Sequence, residues 1–151
     1  MENYQQFMIL LEKISFTDKY LSISNKFSDY KSGMLNYSLE LAKNYIEKKG
    51  YVTTFNKREH FFQIKEKING INFILNICFD YSRVEFILSI VKNKVQLSPT
   101  GPFGLIAGSL RDNKFIHNPT FKNYEELEEI LSKGLEIYEE IKKELLKASW
   151  Y

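Results

Sequence analysis

Cysteine is nearly absent: Cys78 is the only one in 151 residues. A single thiol closes no intramolecular bridge and gives zinc no cysteine pair, which excludes disulfide scaffolds and cysteine-rich metal folds. Proline (3) and glycine (7) are scarce, so no flexible linker or low-complexity segment stands out. The two histidines, His60 and His117, are far apart and lack the i, i+4 spacing of a helical metal pair. No apolar run approaches the roughly 20 residues that cross a bilayer. The stretch MENYQQFMILLEKIS has Glu2 where a signal peptide carries a cation, and Glu12 and Lys13 interrupt its apolar residues. A cytoplasmic protein without a membrane partner is the expectation.

Charge of one sign is also lacking, because the net charge is only +2. Its distribution is uneven: residues 1–118 carry 16 Lys/Arg against 11 Asp/Glu, and residues 119–151 carry 5 against 8. A nucleic-acid footprint needs a concentrated basic face, so nucleic acid is not the expected partner. What the chain has in quantity is apolar and aromatic side chains, 44% and 15% of residues, enough for one packed domain over residues 1–151.

Periodicity divides that material into elements. Tyr4, Phe7, Met8, Leu11 and Ile14 recur at helical spacing. FTDKYLSISNKFSDYKSG then interrupts the pattern with Ser, Asn, Asp and Gly and reads as a connecting segment. Leu35, Leu39, Ala42, Tyr45 and Ile46 predict a second helix from about Ser32 to Lys49, with Gly50 as its left-handed cap. From residue 51 the period becomes two. YVTTF, HFFQIKEKI, INFILNICF and the run of Val84, Phe86, Leu88 and Ile90 predict four strands, and Asn69-Gly70 and DYSR predict tight hairpins between them. Such short connections require antiparallel pairing.

SPTGPFGLIAGSL, residues 98–110, holds three of the seven glycines and two of the three prolines. Gly101, Gly104 and Gly108 match neither the dinucleotide fingerprint nor the phosphate-binding loop. The segment reads as a turn followed by a possible fifth strand, in which Gly104 and Gly108 mark a bulge or a close approach by a packed helix. Finally, Asn123 with Glu126 forms a capping-box-like start to a long helix reaching about Lys147. The fold expected is α+β: an antiparallel sheet of about four or five strands covered by amino-terminal helices and a long carboxyl-terminal helix.

No catalytic or metal-ligating constellation emerges, and no cofactor is implied. Cys78 sits in an apolar strand, where a free cysteine behaves as a small hydrophobe. Interface hot spots favour Tyr, Trp and Arg, which singles out Tyr81, Arg83, Tyr138 and Trp150. Phe103, on a proline-flanked turn, joins them as a residue the turn would display. The long helix carries eight glutamates, with Glu136 and Glu139 central, and reads either as a solvated face or as a surface for a basic protein. A rival site is a ligand-binding or hydrolytic mouth formed by Gly101 to Gly108 with Asp112 and His117.

A small α+β chain rich in Asn, Ile, Lys, Phe and Tyr, without a catalytic motif, resembles the immunity proteins of bacterial toxin–immunity systems. The resemblance is one of overall type and carries over no individual residue. It implies a non-catalytic inhibitor that binds a cognate toxin, with a basic toxin domain as a candidate partner. A second resemblance is to small secretion-chaperone-like domains, whose antiparallel sheet is flanked by helices at both chain ends.

Overall fold

A computed structural model describes residues 2–151. It opens with two helices, α1 (Glu2–Lys13) and α2 (Phe16–Lys26), joined at Ser15 in the left-handed conformation (φ 57°). The second helix lies where a connecting segment was expected. Phe16, Tyr20, Ile23 and Phe27 fall at i, i+4, i+7 and i+11 and are all buried, so a narrow helical stripe prevails over its polar surroundings. Two of its polar side chains are used inward: Thr17 donates to the Ala107 carbonyl (3.3 Å) and Ser24, one of the apparent breakers, to that of His117 (2.6 Å).

The next helix, α3 (Leu39–Lys48), starts seven residues later than the periodicity predicts. Ser38 caps it by accepting from the Leu41 N–H (3.2 Å), and Leu35, counted on the apolar stripe, is instead 73% exposed. Upstream of the cap the chain makes a 3-10 turn at Tyr30–Ser32. It then runs close to the sheet end, where a Cβ on Gly33 would come within 2.9 Å of Ser82 Cβ. Gly50 follows α3 at φ 98°, as its capping role requires.

Six antiparallel strands follow: β1 (Thr53–Asn56), β2 (Phe61–Ile68), β3 (Ile71–Asp80), β4 (Arg83–Lys92), and the two-residue β5 (Val95–Gln96) and β6 (Gly101–Pro102). The order is β1-β2-β3-β4-β5, with β6 also on β4. Asn69 and Gly70 turn at φ 52° and 78°, the pair of positive values such a hairpin needs. One sheet face, including Phe62, Ile64, Phe73, Leu75, Phe86 and Leu88, is fully buried. The alternating face, with Gln63, Ile74, Asn76, Ile87 and Ser89, is only half-buried.

FGLIAGSL is not a strand but a helix, α4 (Phe103–Ser109). Phe103, Ile106 and Ala107 share its buried face, a helical spacing that the glycines obscured. Gly104 and Gly108, one turn apart, receive the backbone of the following loop: Ile116 donates to the Gly104 carbonyl (3.1 Å) and Asn113 to that of Gly108 (2.8 Å). A Cβ on Gly108 would lie 2.7 Å from the Lys114 carbonyl carbon, so these glycines mark a close approach and no bulge.

The last helix, α5 (Tyr124–Lys147), is capped by Asn123 Oδ1, which accepts from the Glu126 N–H (2.8 Å). The Glu126 carboxylate reaches back to the Lys122 N–H (3.1 Å), one residue before the usual capping-box partner. Its buried face runs through Leu127, Leu131, Gly134, Tyr138, Ile141 and Leu145 and crosses the sheet where Gly134 meets the Phe86 ring. No helix among the described residues is long and apolar enough to cross a membrane.

Candidate functional site at the Tyr81 hairpin tip

The acidic helix turns most of its glutamates toward the protein's own lysines. Glu144 pairs with Lys13 (2.9 Å), Glu140 with Lys19 and Glu129 with Lys26 (2.8 Å), a ladder tying α5 to α1 and α2. Hydrogen bonding from Lys13 holds the Glu144 carboxyl below the ordinary carboxylate range. Glu139 pairs with Lys142 (2.6 Å) and accepts from Tyr51 (2.5 Å). Glu136 is exposed and has no ion pair among the described residues. Five of its eight glutamates, Glu126, Glu129, Glu139, Glu140 and Glu144, are thus matched within the chain, and Glu125, Glu128 and Glu136 have no ion pair among the described residues.

Two of the proposed contact residues are internal. Phe103 is fully buried, with Phe16, Phe86 and Tyr20 rings at 5.2, 5.3 and 6.0 Å, so the proline-flanked turn does not display it. Tyr138 is also fully buried; its hydroxyl donates to Glu66 (2.7 Å), and burial first, then that bond, hold the phenol far above its usual range. The same Glu66 oxygen accepts from the buried Lys142 (2.8 Å), so Tyr138 belongs to a structural clamp between α5 and β2. Trp150 is half-buried against Tyr151, with ring centroids 5.7 Å apart.

Of the rival mouth, the part at Gly104 and Gly108 is closed by protein backbone, and Asp112 is exposed. The backbone of residues 114–116 occupies the glycine face of α4, leaving a ligand no room there. His117 packs edge-on to Tyr30 (6.0 Å) and His60 to Phe55 (6.4 Å). Burial, with smaller contributions from Glu85 and Glu59, pushes the Cys78 thiol up to about 11, the wrong direction for a nucleophile near neutral pH. No group of three His, Cys, Asp or Glu suited to a metal occurs among the described residues.

Tyr81 and Arg83 do converge, at the two-residue tip between β3 and β4. Tyr81 has φ 54° and is 76% exposed. A bulky residue is strained in that region, where Gly or Asn is usual. Its carbonyl accepts from Tyr37, whose ring is fixed edge-on against Phe121 (4.9 Å) and tilted against Phe79 (6.0 Å). Arg83 lays its guanidinium over the Tyr30 ring, 5.3 Å from the centroid. Beneath the tip, Ser82 and Thr120 share a buried hydrogen bond (2.7 Å), the Thr120 N–H donates to the Phe27 carbonyl (2.8 Å), and Phe121 donates to the Ser82 carbonyl (3.0 Å) and accepts from the Met34 N–H (2.9 Å).

Beside the tip lies a cleft of about 610 Å³ lined by Leu35, Asn36, Tyr37, Leu39, His60, Phe79, Asp80 and Tyr81. Sequence reasoning singled out Tyr81 and Arg83 but missed Tyr30, Leu35 and Tyr37, which arrive from the segment assigned to a connection and the start of a helix. One signal was legible: DYSR puts tyrosine, not Asn or Gly, at the first position of a two-residue turn. Comparison of the chain with protein-family models, curated proteins and solved structures finds no match.

Proposed function

We propose that the chain is a non-catalytic, cytoplasmic protein-binding module that inhibits its partner, in the manner of an immunity protein on a toxin. The observation carrying this reading is Tyr81, a large amphipathic ring held in strained backbone at φ 54° and left 76% exposed. The tight turn requires a positive φ there but not a large ring, since Gly or Asn would meet it with less strain. A partner that buries the ring offsets the strain, since strained exposed residues concentrate at binding sites and Tyr and Arg dominate interface energetics. Arg83 on Tyr30 and the exposed Leu35 extend the same surface.

Photo-crosslinking in the native host tests the reading. With p-benzoylphenylalanine at Tyr81, one dominant protein adduct is expected, absent when the probe replaces Glu47, an exposed residue of α3. The inhibitory role predicts that the captured protein, expressed alone, arrests growth and that this chain relieves the arrest while Tyr81→Asn does not. The same adducts from both probe positions, or none from Tyr81, would overturn the proposal.

A further inference from the structure

We infer that the cleft beside Tyr81 receives a lysine or arginine side chain of the protein partner, neutralised by Asp80 and flanked by aromatic rings. This rests on the protein-binding reading and adds the chemistry of what is bound.

Charge supplies the first argument. Asp80 is the one carboxylate in the cleft lining, and neither Lys nor Arg lines it. Asp80 has no ion-pair partner among the described residues, although Arg83 stands directly opposite it across the hairpin ladder. The cation that would neutralise it is turned away, with its guanidinium over Tyr30. An anionic site is thereby left open next to the residue that the backbone strains to display.

Aromatic character is the second argument. Tyr37, Phe79 and Tyr81 all line the cleft, and a cation near aromatic rings gains from their quadrupoles as well as from the carboxylate. Tyr37 is already fixed by Phe79, Phe121 and the Tyr81 carbonyl, so little ordering is required on binding. A cation carried on a polypeptide, as opposed to a free amine, is indicated by the rim. Leu35 and Tyr81, 73% and 76% exposed, lie on the rim, and the surface around a bound side chain would cover them.

The test is an amide-resolved NMR titration of the intact protein with N-acetyl-arginine-N-methylamide, its lysine counterpart and, as the uncharged control, its norleucine counterpart. Millimolar arginine and lysine compounds should shift the amides of residues 35–39, 60 and 79–82, and norleucine should not. Asp80→Asn should weaken the response at least tenfold, Glu47→Gln, which removes an exposed carboxylate outside the cleft, should leave it intact, and 0.5 M salt should reduce it in the wild type. Absence of shifts, equal shifts with norleucine, or indifference to both Asp80→Asn and salt would overturn the inference. Should the Tyr81 crosslink form while the cation titration is silent, only the cation inference falls. Cation binding without a crosslink defeats the protein-partner reading instead.

Discussion

Tyr81 separates stability from binding at a single residue. Its backbone lies at φ 54° and its side chain is 76% exposed, so replacing it removes strain and almost no packing. Tyr81→Gly should raise stability by about 1 kcal/mol, the lower end of the cost of a non-glycine residue in this region. A higher urea midpoint at unchanged slope is the expected readout, together with failure to relieve the growth arrest that the captured protein causes. A lowered midpoint would mean that the tyrosine stabilises the fold from within and would remove the argument from strain. The hairpin itself was legible in DYSR. The cleft was not, because Leu35 and Tyr37 approach the turn across more than 40 positions of sequence.

At the scale of the element, Gly134 sets how closely α5 crosses the sheet. Mid-helix glycine costs about 1 kcal/mol relative to alanine, so its place on the apolar stripe of EEILSKGLEIYEE already signals a close contact. The partner is Phe86 and not the glycines of α4: a Cβ on Gly134 would lie 2.6 Å from Phe86 Cε2. Phe86 is fully buried and stacked on Phe103 at 5.3 Å, so its ring has little freedom to retreat. Gly134→Ala should therefore destabilise by about 1–3 kcal/mol, since overpacking outweighs the propensity gain. Combining it with Phe86→Leu should cost less than the sum of the two changes, the coupling expected of residues in contact. A stabilised single variant would show that the ring yields freely. Legibility followed the strength of the pattern: α5 and the long strands repeat their period over many residues. By contrast, α2 and α4 hide theirs behind serines and glycines whose use depends on the loop of residues 110–121, beyond the reach of local periodicity.

For the whole molecule, the question is what holds the α1–α2 layer to α5 and the sheet. The ladder of Lys13, Lys19 and Lys26 against Glu144, Glu140 and Glu129 accounts for the glutamate-rich helix, a match that charge counts along the chain do not show. Its lysines remain 70%, 41% and 63% exposed, so solvent screens each pair to about 0–1 kcal/mol. Phe16 is fully buried against Phe103 and Tyr20, and truncating such a ring costs about 3–5 kcal/mol. Apolar contact should dominate over the ladder. The triple change Lys13→Gln, Lys19→Gln and Lys26→Gln should lower stability by less than about 3 kcal/mol and keep amide protection in α1 and α2. Phe16→Ala alone should cost more and lower that protection. Denaturant midpoints and hydrogen exchange on the two proteins decide the order of the effects. A triple variant less stable than Phe16→Ala would make the ion pairs, and not the aromatic contacts, the main attachment of the helical layer.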